Sequence, residues 1–207
     1  MLAGLGVWIG TGVASVAGIE EPKYTVTTTH EGFEVREYAP YIVAQVTVEG
    51  DFDEALNQGF RKIADYIFGN NTKKTGESSE KIAMTAPVIE QGVASEKIAM
   101  TAPVIEQNSS GKARVVSFVM PSSYTTETLP TPNNPEVRLV PVAQKRFAVI
   151  QFSGNVSEAD AASRKQALRE LVKEAKLDTV GEPLLAQYNP PWTPPFMRRN
   201  EVLLELK

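Results

Sequence analysis

The sequence predicts an α+β fold, a distorted and mainly antiparallel β-barrel with two flanking α-helices and pseudo-twofold halves. Short segments rich in β-branched and aromatic residues recur along the chain, which is typical of strands. Two longer segments carry apolar residues at helical spacing. The string Gly50-Asp-Phe-Asp-Glu-Ala55 also has a counterpart in Gly154-Asn-Val-Ser-Glu-Ala159, and each string follows an apolar strand and opens a helix. Because strand–glycine–helix junctions are common, chance similarity is the alternative to two related halves.

The first half is predicted to contain three strands followed by a long helix. Residues 24–38 alternate apolar and polar side chains around a turn at His30-Glu31-Gly32, which predicts a β-hairpin, and residues 41–48 predict a third strand. Asp51 stands three residues before Glu54, as in a helix capping box. The apolar residues of the helix recur every three or four positions and share one face: Phe52, Leu56, Phe60, Ile63 and Ile67.

A 13-residue segment then occurs twice without a difference, at residues 79–91 and 95–107. Its apolar residues alternate and are predicted to share one face of a strand: Ile82, Met84, Ala86 and Val88, with Ile98, Met100, Ala102 and Val104 as their equivalents. Pro87 and Pro103 fall on the opposite face, which favours an edge strand or a bulge. A fold usually has room for one such segment. We therefore expect one copy to form the strand and the other an adjoining hairpin arm or loop.

The second half repeats the order of strands, helix and strands. Strands are predicted at residues 113–120, 137–142, 147–152, 184–188 and 202–206. The helix that follows Gly154 carries a core stripe of Leu168, Leu171, Val172 and Ala175. A loop rich in proline and aromatic residues joins the last two strands.

The N-terminal 19 residues differ from the rest of the chain, because they carry no charged side chain and contain five glycines. Their length is near the minimum for a membrane-spanning helix, and Ser15-Val16-Ala17 suits a signal-peptidase site. Residues 1–19 are therefore predicted to be a membrane anchor or a cleaved signal, with an ordinary soluble segment as the remaining alternative. Residues 20–207 are predicted to form a single domain. The protein is then membrane-anchored or exported, and otherwise cytoplasmic.

The composition excludes several classes of function. The net charge is −4, and charges of both signs are mixed along the chain, so we expect no nucleic-acid partner. The absence of cysteine excludes disulfides, thiolate nucleophiles and thiolate metal sites. His30 is the only histidine, which excludes a multi-histidine metal site, and no nucleophile elbow is present. We expect a binding protein rather than an enzyme.

Several strings along the chain occur together in one known family. They are Glu21-Pro-Lys-Tyr24, Phe33-Glu-Val-Arg-Glu-Tyr38, the two Lys-Ile-Ala-Met-Thr-Ala-Pro-Val strings, Phe118-Val-Met-Pro121, Phe152-Ser-Gly154, Tyr188-Asn-Pro-Pro-Trp192 and Arg198-Arg-Asn-Glu-Val202. In these motifs and their order, the chain resembles the SOUL family, also called the heme-binding-protein family. The resemblance implies the barrel with two helices and twofold-related halves, and a tetrapyrrole binder or carrier rather than an enzyme. The doubled segment resembles the plant and bacterial branches.

The resemblance also places a tetrapyrrole beside the first long helix. Carried over by position, the apolar binding surface is Phe60, Ile63 and Ala64, with Ile67 nearby. The alternative for this helix face is ordinary core packing.

Methionine and arginine side chains complete the predicted site. Met84 and Met100 are weak heme ligands or soft packing against the ring, with core packing as the alternative. Arg198 and Arg199 suit the propionates, because a guanidinium matches a carboxylate. The alternative is that they tie the last strand to an acidic neighbour.

The axial ligand of a bound heme is not identified by the sequence. The histidine proposed as a ligand in some SOUL members directly follows the arginine of the second-strand motif, but here Glu37 follows Arg36, and a carboxylate is a poor heme ligand. His30 is predicted to be a solvated turn residue. Heme is therefore expected to bind non-covalently, with modest affinity governed by hydrophobic contact. The alternative is a protein-interaction or small-ligand-binding module on the same fold without physiological heme, whose protein partner is unknown.

Overall fold

A computed structural model describes residues 19–76, 78–92, 113–189 and 192–207, in which helices pack on a large antiparallel sheet. The strands are β1 (Tyr24–His30), β2 (Phe33–Tyr38), β3 (Tyr41–Glu49), β4 (Asn71–Thr72), β5 (Val88–Gly92), β6 (Ala113–Val119), β7 (Thr131–Pro132), β8 (Arg138–Val142), β9 (Lys145–Phe152), β10 (Thr179–Gln187) and β11 (Asn200–Leu206). The helices are α1 (Phe52–Ile67), α2 (Glu158–Glu174) and a short 3₁₀ turn, Pro195–Met197.

The order of strands in the large sheet reveals two related halves. Nine strands pair in the order β1-β2-β9-β11-β10-β5-β6-β3-β8, and every neighbouring pair is antiparallel. From β2 to β8 this order is internally symmetric. The same order results, read from the other end, when β2 is exchanged with β8, β3 with β9, β5 with β10 and β6 with β11. The α+β class is thus confirmed, and the topology agrees with two halves that meet at the β5–β10 pair. The described pairings form one open order, so closure into a barrel stays a prediction.

Each helix covers the sheet of one half. Helix α1 packs on β3 and β6, and α2 packs on β9, β10 and β11. On α1, Ile63 and Ile67 are fully buried, and on α2, Leu168 and Val172 are buried in the same way. Fully burying a side chain of this size contributes roughly 1.5–3 kcal/mol, so these stripes fix both helices against the sheet. The described helices include none that is long and apolar enough to cross a membrane, and residues 1–18 of the predicted anchor or signal lie outside the described residues.

The two helices begin differently, although their sequences predict the same cap. Ser157 and Asp160 form a complete capping box at α2, in which the serine hydroxyl accepts from the Asp160 amide and the aspartate accepts from the Ser157 amide. At α1, Asp51 occupies the N-cap position, but its side chain makes no capping hydrogen bond. Glu54 accepts a hydrogen bond from Gln58 at 3.0 Å instead. The capping box predicted for α1 is therefore wrong, because its acidic partner is engaged one turn further along the helix.

The predicted strand around Pro87 is shorter than expected. Strand β5 (Val88–Gly92) contains only the last four residues of the first copy, and it lies inside the sheet between β10 and β6. Ahead of it, the Ile82 amide donates to the Ile67 carbonyl and the Ala86 amide to the Glu20 carbonyl, so this stretch is anchored to other elements instead of a ladder. The edge-strand interpretation is wrong, since Pro87 precedes an internal strand. The second copy, 95–107, lies outside the described residues, and its predicted conformation stays a prediction.

A single common face for the apolar residues of the first copy is also wrong. Ile82 and Ala86 are buried, whereas the Met84 side chain between them is 37% exposed. Without a regular strand before Val88, alternate positions no longer point in one direction.

Gly59 allows α1 to lie directly on β6. A Cβ atom at this position would stand 2.5 Å from the Cβ atom of Val116. We expect Gly59→Ala to lower the free energy of unfolding by about 1–3 kcal/mol, because the cost of overpacking exceeds the gain of up to about 1 kcal/mol in helix propensity. Urea denaturation of the full chain measures this change.

A double-mutant cycle separates close packing from other effects of the alanine. In a Val116→Ala background, the added methyl group has room, and the penalty of Gly59→Ala should shrink or change sign. An equal penalty in both backgrounds would contradict the proposed contact between α1 and β6.

Candidate functional site

The helix face predicted to bind a ligand is divided between core and solvent. Ile63 and Ile67 are fully buried in the cluster that α1 forms with β3 and β6, and Ala64 is 7% exposed. Phe60 is 38% exposed, and its ring lies 5.3 Å from the ring of Phe118, centroid to centroid. Of these four helix residues, Phe60 alone therefore offers a ligand substantial apolar surface, supported from beneath by a fully buried aromatic ring.

Of the two predicted methionines, Met84 belongs to the described residues. It is 37% exposed and lies in the irregular stretch before β5. Met100 belongs to the second copy and lies outside the described residues. Another aromatic ring, Phe68 at the end of α1, is 57% exposed. The accessible apolar groups on this part of the chain are thus few and separate.

The two predicted arginines have protein partners. Arg199 donates to Glu201 at 2.9 Å and to Glu21 at 2.8 Å, and its guanidinium lies 3.8 Å from the centre of the Tyr188 ring. Arg198 donates to the Thr193 carbonyl and to the Asn155 side chain, both at 2.8 Å. These contacts match the acidic-neighbour alternative for Arg199. Propionate binding by either arginine stays a prediction.

Glu201 is the centre of a buried ion cluster that sequence reasoning did not identify. Its carboxylate is completely buried and accepts from Arg36 at 2.9 Å, Arg199 at 2.9 Å and the Tyr188 hydroxyl at 2.7 Å. Burial alone would lower the pKa of the Arg36 guanidinium, but the Glu201 carboxylate and the Tyr38 hydroxyl together raise that pKa above its usual value. Burial, and next the Glu201 carboxylate, raises the pKa of the Tyr188 hydroxyl. The cluster keeps Arg36 and Arg199 charged at all physiological pH values.

The ion cluster explains several of the family motifs. Arg36 comes from the Phe33–Tyr38 motif, Tyr188 from the Tyr188–Trp192 motif, and Glu201 from the Arg198–Val202 motif. Glu21, from the first motif, reaches the cluster through Arg199. The motifs are far apart in the chain but contact one another through strands β2 and β11. Their co-occurrence in the sequence was the signal that could have revealed this contact.

Two surface cavities of about 310 Å³ each lie away from the predicted residues. None of the seven described candidate residues lines either cavity. Tyr41 lines both cavities, and burial, followed by the Glu205 carboxylate, raises its pKa to about 12. Glu205 also binds Lys145 at 2.6 Å in the second cavity. This volume is at the lower limit for pockets that enclose drug-sized ligands.

The described residues supply no convergent axial ligand. His30 ends β1, and its ring stacks on Phe33 with the centroids 4.5 Å apart. Glu37 accepts a hydrogen bond from Gln144 at 2.5 Å. Within the described ranges, no group of three histidine, cysteine or acidic residues is arranged to hold a metal ion. The axial ligand of a bound heme therefore stays unidentified in this part of the chain.

Comparison with known families decides the family of the chain. The family model described as SOUL heme-binding protein matches residues 19–95 and 90–205. The chain belongs to the SOUL heme-binding protein family. The two matched stretches overlap between Glu90, near the end of the first copy, and Ser95, the first residue of the second. The family model therefore matches in two stretches, and the break between them falls at the duplicated 13-residue segment.

Curated relatives agree with this SOUL assignment, and solved structures share the fold. Heme-binding protein 1 of Xenopus tropicalis is 28% identical over 172 residues, which are 82% of this chain and 81% of that protein. Heme-binding protein 1 of Xenopus laevis is 29% identical over the same shares. The crystal structure of the EcmrR C-terminal domain covers 84% of this chain and 95% of that chain, with a TM-score of 0.57 and 12% identity. A hydrolase from Listeria innocua covers 87% and 94%, with a TM-score of 0.53 and 12% identity. At these identities, likeness to the two structures shows the fold alone.

Proposed function

We propose that this SOUL chain binds a tetrapyrrole such as heme non-covalently and serves as a carrier or buffer, not as an enzyme. The description of its family and the names of its Xenopus relatives support a heme ligand. The observation that carries the site is the half-exposed ring of Phe60, backed by the buried ring of Phe118. A flat aromatic macrocycle packs on such a supported ring by offset or tilted stacking.

The binding mode follows from what α1 offers. Ile63, Ala64 and Ile67 hold the helix on the sheet and keep Phe60 in place, while Met84 adds a polarizable group for contact with the ring. Hydrophobic contact contributes about 25 cal/mol per Å² of apolar surface buried. Because one supported ring buries little of a macrocycle, the affinity is modest. Modest affinity suits a protein that must release its ligand to an acceptor.

Titration with hemin tests this proposal in the full chain. Wild-type protein should give a saturable shift of the Soret band, and Phe60→Glu should weaken binding about tenfold or more, since a charge replaces a stacked aromatic contact. Phe68→Glu is the matched control, because Phe68 is also exposed and lies at the C-cap of the same helix, about two turns beyond Phe60. This control should bind hemin like the wild type, and circular dichroism should show that both variants are folded.

Two results would contradict the proposed site or the proposed ligand. Equal weakening by both glutamates would mean that hemin responds to charge on α1 rather than to contact with Phe60. A wild-type protein that never saturates would remove the tetrapyrrole function. The second candidate, a module for a smaller ligand, would then be favoured by the cavity at Tyr41, Lys145 and Glu205, which offers charged groups beside apolar walls.

A further inference from the structure

The connection between β10 and β11 projects three large apolar side chains into solvent. Trp192 is 83% exposed, Phe196 79% and Met197 63%, the three highest values among large apolar residues in the described part of the chain. Burying side chains of this size contributes roughly 1.5–3 kcal/mol each. A group of them left in water marks a surface that contacts something else. Residues 192–197 are called the apolar loop below.

The apolar loop is held in this exposed arrangement by the fold. The Pro195 carbonyl accepts from the Gly154 amide at 2.9 Å, and Arg198 donates to the Thr193 carbonyl at 2.8 Å. Arg198 also donates to Asn155 at 2.8 Å, which fixes the base of the loop to the start of α2. The backbone of the loop is therefore held in place before a partner is met, which lowers the conformational entropy lost on docking.

The distribution of charge along this connection suits a lipid surface. The ten residues from Tyr188 to Met197 carry no charged side chain, so they would bring no charge into the apolar boundary. Tryptophan favours the boundary between headgroups and acyl chains. Arg198 and Arg199, which follow, bind protein groups at the base of the loop. A bilayer also accepts tryptophan, phenylalanine and methionine together without a complementary groove.

The apolar N-terminal stretch of the sequence joins the fold at the base of the same loop. Glu21 binds Arg199 at 2.8 Å, and Arg199 is two residues from Met197. The Glu20 carbonyl accepts from the Ala86 amide at 3.0 Å, so this point of entry is fixed to the fold. The 19 residues that lead to it contain no charged side chain. The apolar loop and the point where this N-terminal stretch joins the domain therefore lie beside each other.

From these observations we propose that the apolar loop docks on a phospholipid bilayer, with Trp192, Phe196 and Met197 entering the boundary between headgroups and acyl chains. The loop then orients the domain on the membrane, beside the point where the N-terminal stretch joins it. This inference is independent of tetrapyrrole binding, because none of its evidence involves α1.

Tryptophan fluorescence of the full chain tests the contact directly. The sequence has two tryptophans, Trp8 and Trp192, so Trp8→Phe leaves Trp192 as the sole reporter. With phosphatidylcholine vesicles containing phosphatidylglycerol, its emission should move to shorter wavelength, and lipids brominated in the acyl chain should quench it. Adding Phe196→Ser and Met197→Ser should reduce the quenching. The matched control places the reporter elsewhere, as Phe68→Trp in a chain with Trp8→Phe and Trp192→Phe, and it should not be quenched.

The other outcomes overturn the proposal. A chain that sediments with vesicles while Trp192 stays unquenched would be held by another part of the protein. Emission at short wavelength without vesicles, unchanged by brominated lipid, would mean that protein already covers the loop. Failure of the full chain to associate with vesicles, or equal quenching at position 68, would also remove the apolar loop as the docking surface.

Discussion

Replacing Glu201 with alanine is expected to lower the free energy of unfolding by about 3–5 kcal/mol, the usual cost of removing one member of a buried ion cluster. The carboxylate is fully buried, and its removal leaves the guanidinium of Arg36, which is only 5% exposed, without its buried partner. Arg199 loses the same partner but keeps Glu21. Two cations then lie close together in a poorly solvated place. Chemical denaturation monitored by circular dichroism measures the loss.

Glu205 provides the matched control for Glu201. It lies four residues later on β11 and pairs with Lys145 at 2.6 Å, but the two side chains are 27% and 36% exposed. Glu205→Ala should therefore cost no more than about 1 kcal/mol, as for surface pairs. Similar losses in the two variants would mean that burial of the Glu201 cluster does not govern its contribution.

Replacing Arg114 with methionine should lower the free energy of unfolding by about 3 kcal/mol. Arg114 binds Glu90 at 2.8 Å, a carboxylate that is 1% exposed, and it also binds Glu158 at the start of α2. Methionine keeps most of the apolar stem but removes the guanidinium, whose carbon lies 5.4 Å from the centroid of the Phe52 ring. The loss therefore reports the charge. Lys165 lies 3.1 Å from Glu90 and still compensates part of its negative charge. The expected loss is therefore at the lower end of the range for breaking a buried ion pair.

Arg169→Met is the control for Arg114, since Arg169 pairs with Glu182 through side chains that are 39% and 50% exposed. Its expected loss is below about 1 kcal/mol. If both methionine variants unfold at the same denaturant concentration as the wild type, Glu90 tolerates burial with Lys165 alone, and the role assigned to Arg114 is wrong.

The regular elements were predictable because their patterns are local. The spacing of Ile63 and Ile67 predicts a buried helix face, and both side chains are fully buried. The same spacing does not determine where the core ends. Phe60 shares the pattern of Ile63 and Ile67, but it is 38% exposed. Alternation likewise predicted a strand through Ile82, but bonds from its amide to Ile67 and from Ala86 to Glu20 hold this stretch against other elements. Such partners are remote in sequence and leave no periodic signal.

The candidate site was less predictable than the fold. The positive charge of Arg199 suggested that it binds a carboxylate of the ligand. The carboxylates that it contacts belong to Glu201 and Glu21. Sequence distance conceals that pairing, because 178 positions separate Glu21 from Arg199. The exposure of Trp192 could not be predicted from the sequence either, since an aromatic residue in a proline-rich loop can pack against the end of a sheet or face solvent.

Strand β5 has a property that bears on how the chain tolerates mutation. Its side chains, and those of the anchored stretch before it, are specified a second time by residues 95–107. A base change that replaces Glu90 or Ile82 leaves the equivalent residue of the second copy unchanged. Val116 and Leu185 have no such second copy. As related genes diverge, we expect the copy that is constrained by packing to keep its amino-acid sequence and the other copy to accumulate substitutions. The pattern of drift between the two copies will then record, without any structure, which of them the sheet uses.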